Sequence, residues 1–126
     1  MTKLSLLALL LIPGAALADG HGGAPVGSAE IDGTAVLVDD AQMTLYTFDN
    51  DEGSTSNCYD GCAGSWPPVL AEEGAALPEG FALTERRDGT NQITYNGAPL
   101  YLWAGDAEPG DMTGDGVGGV WHVAKP

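Results

Sequence analysis

Apolar and polar residues alternate over short stretches of this chain, which is the pattern of half-buried β-strands. Two stretches, "TAVLVDDAQMTLYTF" at 34–48 and "QITYNGAPLYLW" at 92–103, each contain two such runs separated by a turn. The second turn is Asn96-Gly97, the strongest short signal for a β-hairpin, because a type I′ turn needs positive φ at both central residues. The first stretch has a looser connection over 39–42. We therefore predict one hairpin in each stretch.

The chain repeats itself with an offset of 55 residues. Laying 45–70 over 100–125 without a gap aligns identical Leu, Tyr, Asp, Gly and Trp residues. Each copy has a Tyr, an aromatic residue two places later, an Asp three places after that, and a Trp further on. These residues are Tyr46, Phe48, Asp51 and Trp66 in the first copy and Tyr101, Trp103, Asp106 and Trp121 in the second. Such self-similarity indicates two copies of one supersecondary unit.

Strand alternation places the Tyr and the next aromatic residue of each copy on one face. An isolated hairpin is marginal in water, so we expect the two ring-bearing faces to meet in a core with both Trp residues, rather than to form a stacking site for a ligand. The motif Asp lies just past its strand, where it can accept backbone N–H bonds or coordinate a cation.

We predict an all-β fold in which two pseudo-repeated β-hairpin-plus-loop units pack as one compact domain. Repeat 1 occupies 31–70 and repeat 2 occupies 88–126. The linker at 71–87 has no clean period and leaves room for one short turn of helix.

The first eighteen residues have the features of a secretory signal peptide. Lys3 precedes an apolar run over 4–12 and an A-x-A cleavage site that ends at Ala18. The run is shorter than the ~20 residues of a transmembrane helix. We expect cleavage near Ala18, a flexible Gly-rich segment over 19–30, and an exported protein that is periplasmic or extracellular and has no membrane anchor.

The chain is strongly acidic, since 18 Asp and Glu against 4 Lys and Arg give a formal charge of −14. Loss of Lys3 with the signal peptide changes this charge to −15 and leaves Arg86, Arg87 and Lys125 as the basic residues. Nucleic acids and anionic lipids bind through Lys and Arg, so neither is expected as a partner. A cation, a basic protein, or simply high solubility is compatible with the charge.

Cys58 and Cys62, in "NCYDGC", are the only cysteines. An even number of cysteines in an exported protein favours a disulfide, here a local staple worth about 2 kcal/mol because the loop is small. A redox pair more typically has C-x-x-C spacing, and a thiolate metal site usually needs further Cys or His nearby.

Two acidic loops are candidates for a calcium ion. "DNDEGS" contains Asp49 and Asp51, and "DMTGDG" contains Asp111 and Asp115. The second loop has the spacing of the start of an EF-hand, but His122 occupies the place of the bidentate Glu, which excludes a true EF-hand. A weaker Ca²⁺ site and simple Asp/Gly turns remain as alternatives.

Cleavage after Ala18 would create a mature chain that begins Asp19-Gly20-His21. A terminal amine, two deprotonated amides and an imidazole in third position can bind Cu²⁺ or Ni²⁺ in a square plane. A shift of the cut by one residue would destroy this site.

Catalytic motifs are scarce. The only histidines are His21 and His122, and neither a phosphate-binding GxxxxGK[ST] loop nor a CxxCH haem motif is present. We therefore expect a protein that is not an enzyme.

The two Tyr-x-aromatic-x-x-Asp motifs, with "CAGSWPPV" and "DGTNQITYNGAPLY", resemble the bacterial secreted-repeat proteins described as predicted lipoproteins with a Yx(FWY)xxD motif. The resemblance implies an exported β-rich repeat protein and no particular activity, since the family has no established function. Asp19 stands where lipoprotein members have the lipid-bearing Cys, so we favour a soluble form. We expect a binding or structural role without a cofactor; the alternative is a metal-binding protein that uses Ca²⁺ or Cu²⁺ as above.

Overall fold

Short strands and tight turns build the part of the chain that the computed structural model describes, residues 24–126. The elements in this range are β1 (Val26–Ile31), β2 (Thr34–Asp39), β3 (Tyr46–Phe48), α1 (Gly61–Ser65), β4 (Phe81–Glu85), β5 (Asn91–Tyr95), β6 (Ala98–Pro99), a 3₁₀ turn (Val117–Gly119) and β7 (Trp121–Val123). The predicted all-β class is confirmed. Within 24–126, no helix is long and apolar enough to cross a membrane.

Each repeat begins with an antiparallel hairpin that the sequence pattern did not predict. β1 pairs with β2 along its full length, and β4 pairs with β5 in the same way. The β1–β2 turn is Asp32-Gly33, whose φ angles of 52° and 82° lie in the left-handed region that a type I′ turn requires. Small and polar residues fill most positions of "VGSAEI" and "FALTE", so neither strand has a clear apolar period.

These hairpins change two predicted boundaries. Residues 26–30 belong to β1 and are part of the fold, not of the flexible segment predicted over 19–30. β4 lies inside the predicted linker 71–87, so repeat 2 begins before residue 88.

Of the two predicted hairpins, the one at 92–103 is confirmed, whereas β2 and β3 of the other lie in different sheets and meet at an isolated bridge between Val38 and Thr44. Asn96 and Gly97 have φ angles of 49° and 88° in the turn between β5 and β6. In repeat 1, the Leu45 N–H donates to the Leu37 carbonyl at 3.0 Å across the looser connection, in which Gln42 has a φ of 69°.

Strands of one repeat pair with strands of the other, and this pairing joins the two repeats. β7 of repeat 2 pairs antiparallel with β3 of repeat 1, and Pro68 of repeat 1 bridges to Tyr101 of repeat 2. At the centre, Tyr46 and Tyr101 exchange backbone hydrogen bonds with N···O distances of 2.8 and 2.9 Å. Each repeat therefore completes the backbone pairing of the other.

Side chains from both repeats form two hydrophobic clusters on opposite faces of these strands. The aromatic cluster consists of Val36, Val38, Tyr46, Cys58, Trp66, Tyr101, Trp121 and Val123, and the aliphatic cluster consists of Val26, Leu37, Leu45, Val69, Ile93, Leu100 and Ala124. The prediction that the ring-bearing faces of the two repeats meet in the core is confirmed.

Candidate functional site

The motif Tyr of each repeat bonds to the motif Asp of the other repeat. The Tyr46 hydroxyl donates to Asp106 Oδ2 at 2.7 Å, and the Tyr101 hydroxyl donates to Asp51 Oδ2, also at 2.7 Å. Both tyrosines are fully buried, where a polar group costs free energy unless it is hydrogen-bonded. We call these contacts the crossed Tyr–Asp pairs, and they connect the repeats through side chains.

The second oxygen of each motif carboxylate holds the loop that follows its own strand. Asp51 Oδ1 accepts the Asn57 N–H at 2.7 Å. Asp106 Oδ1 accepts the Thr113 N–H at 3.0 Å and the Thr113 hydroxyl at 2.7 Å. The motif Asp therefore closes its loop, as the sequence predicts, and also reaches the other repeat, which the sequence did not indicate.

Four aromatic rings stack in a row across the junction. Trp66 and Trp121 lie at the centre with ring centroids 3.8 Å apart and planes 1° from parallel. Phe48 of repeat 1 stacks on Trp121 of repeat 2 at 4.1 Å, and Trp103 of repeat 2 stacks on Trp66 of repeat 1 at 4.1 Å. The row is thus reciprocal in the same way as the crossed Tyr–Asp pairs, and it fills the aromatic cluster.

Burial has the largest effect on the pKa values of Tyr46, Tyr101 and Asp51 in the crossed Tyr–Asp pairs. Desolvation is the largest cause that raises the pKa of Tyr46 and of Tyr101 far above the ordinary range, and the neighbouring carboxylates add to it. Burial also raises the pKa of Asp51, although the Asn57 N–H, the Tyr101 hydroxyl and the charge of Arg86 act in the opposite direction. The two hydroxyls therefore remain protonated donors at neutral pH.

Arg86 is a buried cation whose described hydrogen bonds all go to neutral oxygens. Its Nη1 donates to Ser56 Oγ at 3.0 Å and to Gln92 Oε1 at 2.8 Å, and its Nη2 donates to the Cys58 carbonyl at 2.8 Å. Ser56 in turn contacts the Tyr101 hydroxyl at 2.6 Å. Sequence reasoning missed this network; the available signal is the scarcity of Lys and Arg, 4 in the chain, which makes each one a candidate for a specific contact.

The predicted disulfide between Cys58 and Cys62 is formed. Cys58 is fully buried in the aromatic cluster, and Cys62 lies in α1. The bond therefore ties the loop of repeat 1 to the core beside Trp66.

The carboxylates proposed for calcium accept bonds from the chain itself. Asp111 Oδ2 accepts the Ala107 N–H at 2.8 Å, and Asp115 Oδ1 accepts the Val123 N–H at 3.1 Å. Over residues 24–126, no group of three or more His, Cys, Asp and Glu side chains is placed to hold a metal ion. These contacts correspond to the turn alternative for "DMTGDG".

Two metal candidates remain: Asp49 of the first acidic loop, and the Asp19-Gly20-His21 start of the mature chain. Asp49 pairs with His122 through an Oδ2–Nε2 contact of 2.8 Å, with both side chains about half exposed. Asp19, Gly20 and His21 lie outside the described residues, so the Cu²⁺ or Ni²⁺ site stays a prediction.

A polar cavity of about 260 Å³ lies between the loop of repeat 1 that contains Tyr59 and the end of β4 in repeat 2. We call it the Tyr59 pocket; its walls are Thr55, Ser56, Asn57, Tyr59, Thr84, Glu85 and Arg87. The guanidinium carbons of Arg86 and Arg87 lie 4.2 and 3.8 Å from the centre of the Tyr59 ring. Both arginines of the chain thus lie against the Tyr59 ring, and Arg87 also lines the pocket.

A larger depression of about 440 Å³ lies beside the exposed Leu70. Glu72 and Glu73 contribute two carboxylates to its wall, and Arg and Lys contribute nothing to it among the described residues. Its wall therefore contains no cationic side chain, whereas the wall of the Tyr59 pocket contains Arg87.

A family model described as a secreted repeat of unknown function matches the chain twice, over residues 30–70 and 82–125. The first match begins within β1, and the second begins within β4. No curated protein and no solved structure matches the chain.

Proposed function

Because this chain belongs to the family of secreted repeats of unknown function, we propose that it is an exported binding domain without catalytic activity. The proposal includes a site of action in the periplasm or outside the cell, after removal of the signal peptide near Ala18. It gives the repeated Tyr-x-aromatic-x-x-Asp motif a structural role and assigns binding to a surface that this motif does not build.

The crossed Tyr–Asp pairs are the observation that carries the proposal. The hydroxyl of Tyr46 is used by Asp106 and by the Gly114 N–H, which donates to it at 3.2 Å. The hydroxyl of Tyr101 is used by Asp51 and Ser56. Groups that are buried and satisfied in this way stabilise a fold and are not free to act on a substrate.

Departure from the internal repeat supports binding at the Tyr59 pocket. By the 55-residue offset, Gly114 of repeat 2 stands where repeat 1 has Tyr59. Gly114 is buried, and a Cβ there would lie 2.8 Å from the Trp66 ring and 2.9 Å from the Trp103 ring. The loop of repeat 2 therefore packs on the row of four stacked rings, whereas the loop of repeat 1 leaves a cavity. The two repeats thus differ at this position although they share one fold.

A thermal-shift screen of the mature protein tests the proposal. The panel contains small carboxylates, phosphate, neutral sugars, divalent cations and short peptides. We expect one class to raise the melting temperature of the wild type by mass action, and to raise that of Arg87→Ala less. The NMR spectrum of the added compound should stay unchanged over hours. Conversion of the compound would contradict the non-catalytic role, and an equal shift in Arg87→Ala would contradict the site.

A further inference from the structure

We propose that the Tyr59 pocket binds the carboxylate of a small hydroxylated acid, such as a sugar acid, through Arg87. This inference rests on the proposed binding function and names its ligand class.

Arg87 is oriented by the fold while its guanidinium remains available. The group lies over the Tyr59 ring at 3.8 Å, and the Arg87 backbone N–H donates to the Tyr59 hydroxyl at 3.1 Å. No hydrogen bond or ion pair within residues 24–126 uses the Arg87 guanidinium, and the residue is exposed. An arginine stacked on an aromatic face keeps its N–H edge free, and this edge matches a carboxylate in a bidentate geometry.

Arg86 has a different task from its neighbour. It is buried, and its guanidinium is committed to Ser56, Gln92 and Cys58. Its charge still adds to the positive potential beside Tyr59, since its guanidinium carbon lies 4.2 Å from the ring centre. The pair therefore provides one arginine for the fold and one for a ligand.

Hydroxyl and amide groups surround the free guanidinium. The side-chain hydroxyls of Thr55 and Thr84 take part in no hydrogen bond of the described chain, and Asn57 uses its Nδ2 on the Asn50 carbonyl while its Oδ1 stays available. These groups can donate to and accept from ligand hydroxyls. A ligand with hydroxyl groups next to its carboxylate can therefore form more hydrogen bonds with the pocket wall than a simple anion can.

Charge and size restrict the ligand further. The chain carries a formal charge of −14, so a polyanion is repelled by the rest of the surface, and Glu85 in the wall disfavours a second negative charge. A cavity of about 260 Å³ lies below the usual range for drug-sized ligands. Both restrictions favour a single carboxylate on a small molecule.

Titration followed by ¹⁵N–¹H correlation spectra tests the inference with gluconate and glucuronate as probes, at low salt. We expect saturable shifts of the amides of Arg87 and Tyr59, no saturable shifts with neutral glucose, and weaker binding as NaCl is added. Arg87→Ala should raise the Kd about tenfold or more, the effect of losing a charged hydrogen-bond partner. Its backbone bond to Tyr59 is retained, so the spectrum should remain that of the folded protein.

Lys125→Ala is the matched control, because it removes the same charge outside the pocket wall. It should leave the Kd nearly unchanged, and an equal loss of affinity would overturn the assignment to Arg87. Phosphate that binds as tightly as gluconate would overturn the role of the hydroxyl groups. Absence of saturation by both acids overturns this inference alone if another class in the thermal screen acts through the Tyr59 pocket, and overturns the proposed function as well if none does.

Discussion

The Tyr46 hydroxyl donates to Asp106 and accepts from Gly114, and both partners belong to the other repeat. The Tyr101 hydroxyl is satisfied by Asp51 and Ser56 of repeat 1 in the corresponding way. A buried hydroxyl with two partners contributes mainly through the cost of leaving those partners unpaired. At the scale of single residues, the motif therefore matches buried tyrosine hydroxyls with half-buried carboxylates.

Removing one motif hydroxyl should destabilise the fold. We expect Tyr46→Phe and Tyr101→Phe each to lower the free energy of unfolding by about 1–3 kcal/mol, because a half-buried carboxylate oxygen loses its donor. Urea denaturation measures the change. Tyr95→Phe is the control, since the Tyr95 ring packs on Phe81 and its hydroxyl has no hydrogen bond to residues 24–126. A motif variant as stable as this control would contradict the structural role.

The raised tyrosine pKa values predict loss of stability in alkali. Below a pH of about 10, the two motif tyrosines are protonated in both the folded and the unfolded chain, so their contribution is fully present. Above it, the unfolded chain releases these protons while the folded chain keeps them, so the free energy of unfolding falls as pH rises toward the folded pKa values. The slope of stability against pH should be shallower by about one proton in Tyr46→Phe. Equal slopes in the wild type and the variant would contradict the burial argument.

At the scale of secondary-structure elements, strands of each repeat pair with strands of the other, so the repeats do not form two separate units. β7 of repeat 2 pairs with β3 of repeat 1, and the extended segment at Pro68 of repeat 1 pairs with Tyr101 of repeat 2. The ring row follows the same exchange, with Phe48 on Trp121. Each hairpin therefore gains partners for its edge and for its aromatic face from the other copy.

A double-mutant cycle measures the exchange directly. The crossed combination Tyr46→Phe with Asp106→Asn should show a coupling energy of about 1 kcal/mol or more. The combination within one motif, Tyr46→Phe with Asp51→Asn, should be additive to within about 0.5 kcal/mol, because these side chains share no hydrogen bond. Coupling in the second cycle and none in the first would mean that each Tyr bonds to the Asp of its own motif.

For the whole molecule, the exchange makes two sequence repeats into one cooperative unit. The aromatic and aliphatic clusters both draw on residues from the two repeats, so neither cluster is complete in half of the chain. A chain of this size has a modest core, and half of it cannot bury enough apolar surface to offset the entropy of folding.

Fragments cut in the exposed linker test this cooperativity. We expect 24–75 and 76–126 to be unfolded alone and to recover the near-ultraviolet circular dichroism of the stacked tryptophans when mixed. Urea titration of the mixture should then give one transition. A cooperative transition in either fragment by itself would show that a single repeat holds its own core.

Local sequence patterns predicted the features whose formation depends on residues close together in the chain. The Asn96-Gly97 turn follows from backbone conformation, and the Cys58–Cys62 bond follows from export and short spacing. β1 and β4 were missed because their small and polar residues give no apolar period, and their stability comes from pairing with β2 and β5. Arg86 was missed because a charged residue next to Arg87 has the pattern of a solvated surface.

The sequence by itself determined that the chain is a β-rich repeat and which residues correspond between copies. It could not decide whether Tyr46 bonds to Asp51 or to Asp106, because the two carboxylates have the same chemistry and the same place in their motifs. Only the tertiary structure selects Asp106, since β3 and the segment at Tyr101 lie antiparallel and bring each hydroxyl to the opposite loop. Packing likewise decided that one loop closes on the rings at Gly114 and the other opens at Tyr59.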